Sequence, residues 1–193
     1  MRVFAPLAAA CAVLLASPGA FAQLAEPYIQ IDAGPTWFTG NISGVTNDFD
    51  TGWNVDGKIG TRLGSILRAE AELGYQQADI DNPTASGDLS SLNLMVNGLV
   101  DLPKFAMFTP YIGAGLGAAR VTADYTDTAP AVTVDDSDWA FAWQALAGLD
   151  WNLTDRAALN VGYKYFDAGD ASPGGIKVDD RSHSVNVGLR FMF

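Results

Sequence analysis

The 193-residue chain has a single cysteine, Cys11, and it falls in an N-terminal apolar segment. Removal of that segment leaves no cysteine, which excludes disulfides and cysteine-based metal sites and suits an exported protein that avoids oxidative crosslinking. Basic residues are scarce, 11 against 22 acidic, for a formal charge of −11 and a pI near 4.2. Nucleic acid and other polyanions are therefore excluded as partners. Charged residues make up only 17% of the chain, so it is not a disordered acidic tail. Beyond the N-terminus no run of about 18 apolar residues occurs, so no transmembrane helix is expected. What the chain does have is glycine, 20 residues, and 11% aromatics. That mixture fits a β-barrel and also an ordinary secreted β-sandwich, and composition alone does not separate them. The length fits one domain.

Met1-Arg2 precedes an apolar run from Val3 to Ala16, then Ser-Pro-Gly and Ala20-Phe21-Ala22. A positive start, a short apolar core and an A-x-A site read as a secretory signal peptide, residues 1–22, cleaved after Ala22. The remaining domain is 23–193. Cys11 sits in mid-core with too little apolar sequence before it for a lipoprotein site.

The chain's last stretch sets the pattern. In His183 to Phe193, Val185, Val187, Leu189, Phe191 and Phe193 alternate with Ser184, Asn186, Gly188, Arg190 and Met192. Successive side chains of a strand point to opposite faces, so this is a strand with one greasy and one mostly polar face. The same dyad recurs seven times upstream. Its cleanest instance sets Leu67, Ala69, Ala71, Leu73 and Tyr75 against Arg68, Glu70, Glu72, Gly74 and Gln76. The others centre on Ile29–Trp37, Trp53–Ile59, Leu92–Val100, Pro110–Leu116, Trp139–Trp151 and Leu159–Tyr165. Each has about the 9–11 residues of a tilted strand that crosses a bilayer.

Connection lengths alternate too. Short turns are expected at 63–65, 101–107 and 152–155, and longer loops at 38–51, 77–89, 121–137 and 167–181. Short periplasmic turns facing longer outer loops are the organisation of bacterial outer-membrane barrels. The long loops and their rims carry Asp48, Asp50, Asp79, Asp81, Asp88, Asp124, Asp127, Asp135, Asp136, Asp138, Asp167, Asp170, Asp179 and Asp180, against Arg120, Lys177 and Arg181. The rest of the chain balances, so the formal charge lies on the outer rim. Trp37, Trp53, Tyr75, Trp139 and Tyr165, with Phe108, Trp151, Phe191 and Phe193, read as two aromatic girdles.

Thr109-Pro-Tyr-Ile-Gly-Ala-Gly-Leu-Gly117, Phe141 to Asp150, Leu159 to Phe166 and the terminal Val187-Gly-Leu-Arg-Phe-Met-Phe193 together resemble the small eight-stranded outer-membrane β-barrels, opacity-type and OmpA-like. The resemblance spans Pro27 to Phe193 and is stronger in the second half. It implies an all-β, eight-stranded antiparallel up-and-down transmembrane barrel in the bacterial outer membrane, with lipid and lipopolysaccharide around it. It also implies that Phe193 and Phe191 belong to the signal read by the barrel-assembly machinery. An OmpA-like C-terminal peptidoglycan-binding domain is not expected.

On the polar face fall Asp32, Asp56, Lys58, Arg62, Arg68, Glu70, Glu72, Lys164 and Arg190. An eight-stranded barrel is just wide enough for side chains to fill it, and charges withdrawn from water must pair. These nine are expected to form a structural ion-pair network that plugs the lumen. Glu70 and Glu72 could do acid/base work, but cationic neighbours on adjacent strands make them structural. Gly113-x-Gly115-x-Gly117 lacks the G-x-G-x-x-G spacing and no helix follows; small inward residues making room for large neighbours explain it better. Asp135, Asp136 and Asp138 are candidates for weak divalent binding, since hard cations take clustered carboxylates, although the spacing is not that of an EF-hand. No cofactor, resident metal or catalytic residue is expected.

The expected role is structural or surface-interacting, with acidic loops meeting a ligand the sequence does not name. The alternative is a narrow pore for small solutes. A third reading, a lipid-A-modifying enzyme, would resemble those hydrolases through a His-x-Ser pattern with a downstream acid. Val185 occupies the serine position after His183, and no acid follows.

Overall fold

A computed structural model of the chain describes residues 26–39, 41–42, 45–46, 51–82, 85–128, 131–171 and 178–193. The expected signal peptide, residues 1–22, lies outside them. Alternating sequences sort their side chains onto two faces only as extended backbone, and eight long strands result. They are β1 (Pro27–Phe38), β2 (Gly52–Leu63), β3 (Leu67–Asn82), β4 (Ala85–Asp101), β5 (Phe108–Thr128), β6 (Ala131–Asn152), β7 (Ala157–Ala171) and β8 (Val178–Met192). Each pairs antiparallel with the next, and β8 returns to β1, closing a barrel. Asn41–Ile42 and Val45–Thr46 add a small ladder beside β8.

One rung fixes the geometry. Followed around the wall, Tyr28 pairs with Gly60, then Glu70, Asn97, Gly115, Gln144, Phe166, Ser182 and finally Phe38. The circuit returns to β1 ten residues beyond its start. With a strand spacing of about 4.8 Å and a rise of about 3.3 Å per residue, that offset tilts the strands by about 41° and gives a backbone radius of about 8 Å.

Burial is inverted relative to a water-soluble protein. Among the described residues, 24 buried side chains are polar or charged and 14 are apolar. Ile31 (63% exposed), Leu73, Ile112, Leu116 and Val187 stand on the outside. A sandwich would place these greasy faces in its core; here they form a continuous outer band, which only a hydrocarbon solvent favours. Trp53 and Tyr75 stack at 5.5 Å and Trp143 and Tyr165 at 5.2 Å towards one end of that band. Phe105, Phe108 and Trp151 cluster at the other.

The short connections, 64–66, 102–107 and 153–156, share one end with the start of β1 and the end of β8. Gly64 adopts φ +85° there, which a side chain would resist. At the opposite end the structure corrects the sequence reading. Segments 77–89 and 121–137, expected as loops, continue as paired strand to Asn82↔Ala85 and Thr128↔Ala131. Strands run from 12 to 22 residues rather than 9–11. At the tilt above, the 21 residues of β5 rise about 50 Å, roughly twice the apolar band of such barrels. Two hairpins therefore stand out of the membrane. The backbone pairing puts Asp79, Asp88, Asp124 and Asp135 on a single rung of those hairpins.

Candidate functional site

The lumen is filled in tiers. Inward positions of β1, β2, β3 and β7 bring Asp32, Lys58, Glu72, Asp56 and Lys164 to mid-height. Lys164 Nζ bonds both carboxylate oxygens of Asp56, at 2.8 and 2.7 Å, and lies 3.6 Å from Glu72 Oε1. Lys58 Nζ is 2.8 Å from Asp32 and 3.8 Å from Glu72. Glu72 Oε2 also accepts from Asn97 Nδ2 (2.8 Å) and Gln144 Nε2 (3.0 Å), and Gln144 donates to Asn97 Oδ1 as well. Asn186 donates to Asp56 at 3.3 Å, and Asn54 donates to Asn186 and Thr36. Partly exposed ion pairs contribute little, but these charges are out of water and depend on their partners.

A second tier lies towards the short turns. Arg190 Nη1 donates to Asp150 Oδ2 at 2.6 Å and its Nε to Gln30 Oε1 at 2.8 Å, and the guanidinium sits 4.8 Å from the Tyr28 ring centre. Arg68 reaches Asp101 at 2.9 Å and Asp150 at 3.3 Å, and lies over Tyr111. Tyr28 donates to Glu70. Gln30 also donates to Asp32, which joins the two tiers. Towards the outer end the filling becomes apolar: Phe38, Met95, Val121 and Phe166 pack with small alanines.

All nine residues of the expected ion-pair set project inward, and all but Arg62 are buried. Eight of them take part in the contacts above, while Arg62 sits at the inner mouth, 3.4 Å from Asp101 and 3.6 Å from Glu26. The sequence reading missed Asp101 and Asp150, both buried and both tied to arginines. Asp150 was legible as the polar position between Leu149 and Trp151; Asp101 was hidden by its place at the edge of a turn. Their inclusion turns the lumenal balance from one surplus positive charge to one surplus negative charge.

The glycine stripe gives up its side chains to this filling. A Cβ on Gly113 would meet Leu99, one on Gly115 the Asn97 and Gln144 side chains, and one on Gly117 the Met95 sulfur and the Leu94 carbonyl. His183 faces outward, its Nδ1 paired with the Tyr163 hydroxyl and its ring edge-on to Tyr165 at 5.1 Å. Ser182 and Ser184 point the other way, to Gln76 and Thr36. Among the described residues no group of three or more His, Cys, Asp or Glu could hold a metal. The side chains of Asp135, Asp136 and Asp138 lie outside the described residues. Phe191 and Phe193 stand exposed at the inner end, where Phe193 N bonds Pro27 O.

Between the 64–66 and 102–107 turns lies a cavity of about 290 Å³, lined by Arg62, Ser65, Asp101, Lys104 and Thr109 with apolar walls from Ile66, Leu102 and Pro103.

Residues 7–191 match the family described as outer membrane protein beta-barrel domain. An uncharacterized protein of Brucella abortus is 29% identical over 188 positions, covering 70% of this chain and 66% of its own length. A protein of Rickettsia bellii, named as a candidate adhesin, is 25% identical over 228 positions and covers 99% of each chain. Neisserial surface protein A superposes with a TM-score of 0.63 at 22% identity, covering 86% of this chain and 97% of that one. Ail, the attachment invasion locus protein of Yersinia pestis, solved with the heparin analogue sucrose octasulfate, gives 0.53 at 14% identity, covering 86% and 99%. Closed antiparallel strands, an apolar exterior and this match over nearly the whole length agree: the chain belongs to the outer membrane protein beta-barrel family and is an eight-stranded barrel of the bacterial outer membrane.

Proposed function

We propose that this protein is a surface-interaction barrel: a lumen closed to solutes anchors acidic hairpins that meet cationic partners outside the cell. The observation that supports the reading is the packing of the lumen, with two linked tiers of paired charge under an apolar tier. Against an enzyme stands the separation of His183 from Ser182 and Ser184, which lie on opposite faces of β8. The relative named as a candidate adhesin supports a surface role. The sulfated ligand of Ail does not transfer, because the charge of −11 disfavours a polyanion. The proposal includes cleavage after Ala22, assembly through the Phe191/Phe193 end, and lipopolysaccharide around the outer girdle.

Two measurements test it. Protein refolded into planar bilayers is expected to give no single-channel steps; reproducible conductance would favour the narrow pore instead. Cells that carry the protein are expected to bind polylysine-coated surfaces better than cells without it, and to lose that gain at about 0.5 M salt, where the Debye length is only a few Å. A gain on heparin rather than polylysine would reject the cationic partner.

A further inference from the structure

The inner mouth holds two cations, Arg62 and Lys104, that lie outside the buried tiers. Asp101 is buried and ion-paired with two arginines, Arg68 at 2.9 Å and Arg62 at 3.4 Å. Arg62 is only partly buried, and its other partner, Glu26, is mostly exposed at 3.6 Å. Lys104 lines the same cavity and has no ion-pair or hydrogen-bond partner among the described residues. The hydroxyls of Ser65 and Thr109 complete the polar lining, and Ile66 (54% exposed) and Leu102 (39%) form its apolar lip. The cavity thus has two cations that can turn to a guest, two hydroxyl groups and one carboxylate neutralised from behind by Arg68. It opens between two turns at the membrane's periplasmic edge.

We propose that this cavity is a binding site for a phosphoryl anion. Arg62 would supply a planar fork and Lys104 a point charge, the pairing that suits tetrahedral oxyanions, while Ser65 and Thr109 donate to remaining oxygens. About 290 Å³ holds a phosphate with an attached alcohol. Two sources offer that chemistry: the phosphodiester headgroup of an inner-leaflet phospholipid, whose chains would leave over Ile66 and Leu102, and a soluble phosphate or phosphomonoester of the periplasm. The site lies at the opposite end from the acidic hairpins, so it stands or falls independently of the surface role.

The test uses native mass spectrometry of the refolded barrel released from neutral detergent, with phosphatidylglycerol, with diacylglycerol, and with inorganic phosphate. Wild type is expected to retain one phosphatidylglycerol in preference to diacylglycerol. Lys104→Gln and Arg62→Gln are expected to weaken retention by about tenfold each, the scale of one charge-assisted hydrogen bond. Lys104→Gln is the decisive variant, because that side chain has no structural partner to lose; heat-shifted gel mobility verifies the fold of both. If phosphate displaces the lipid, the headgroup is the source. If phosphate binds, sensitive to Lys104→Gln, and the lipid does not, the site takes soluble phosphate. Retention unchanged by both variants, or equal for diacylglycerol and phosphatidylglycerol without phosphate binding, overturns the proposal.

Discussion

Removal of Lys164 should be the most damaging single neutralisation in the lumen, and the reason lies in which charges it leaves behind. Counting Arg62 at the mouth, six inward carboxylates (Asp32, Asp56, Glu70, Glu72, Asp101 and Asp150) face five inward cations. Lys164→Met removes the one cation in ion-pair contact with Asp56 among the described residues, leaving Asn186 at 3.3 Å as its donor and Lys58 only as a more distant charge. Glu72 suffers less, because Lys58, Asn97 and Gln144 stay in place. A buried charge stripped of its partner costs about 3–5 kcal/mol. Asp56→Asn acts in the opposite direction: it balances the lumen, and Lys164 still lies 3.6 Å from Glu72. Its cost should be about 1–2 kcal/mol, that of a weakened charged hydrogen bond. The double variant leaves no orphaned charge and should recover most of the Lys164→Met loss, with a coupling energy of about 2–3 kcal/mol. Denaturant titration of the refolded protein in vesicles, followed by tryptophan fluorescence and by gel mobility, reads all three. Equal costs for the two single variants, or additive costs in the double, would refute the argument that unpaired carboxylate dominates this interior.

Other outcomes follow from position. Gly117→Ala drives a methyl onto the Leu94 carbonyl and the Met95 sulfur and should cost about 2 kcal/mol or more, whereas Gly98→Ala points into open space and should stay within about 0.5 kcal/mol; the same denaturant titration separates them. Leu116→Arg, in the middle of the lipid-facing band, should destabilise by about 2–4 kcal/mol, against about 0–1 for Trp139→Arg near the girdle; similar costs would contradict the placement of the bilayer. Unboiled protein should migrate differently from boiled protein on a denaturing gel, and a mixture of mobilities in Lys164→Met would report partial opening of the closed wall.

Strands and inside-outside assignment were legible because they depend on a local period. From Leu67 to Tyr75 every second residue is apolar, and the inversion of burial follows as soon as the outside solvent is lipid. The protruding hairpins were not legible, because a strand that runs on beyond the lipid needs no apolar face and the sequence pattern loses its contrast. Gln77-Ala-Asp-Ile-Asp-Asn82 reads as a loop by composition, yet its backbone pairs to the last residue. Partners across the lumen were also out of reach. Lys164 on β7 meets Asp56 on β2, although β8 and β1 stand between their strands in the wall. Which inward residues share a height depends on the ten-residue stagger of the closed sheet, and no local pattern in the chain encodes that number.

That stagger also explains why the lumen holds a network rather than a set of pairs between neighbouring strands. Residues that share a hydrogen-bonded rung climb the wall: Tyr28 and Phe38 belong to one circuit but stand a full ten residues apart along β1. A tilted strand can therefore deliver inward charges to both tiers, as β3 does with Arg68 and Glu70 below and Glu72 above, while the other strands supply one tier or the other. In a backbone tube of about 8 Å radius, long side chains reach the far wall, so opposite charges on non-adjacent strands can meet and the tiers lock the wall together across its centre. Gln30, bonded upward to Asp32 and downward to Arg190, makes the tiers one unit. If the lumen is closed as proposed, a conducting path would open only when that unit comes apart and exposes several charges at once, and removal of a cation such as Lys164 is the single substitution expected to begin it.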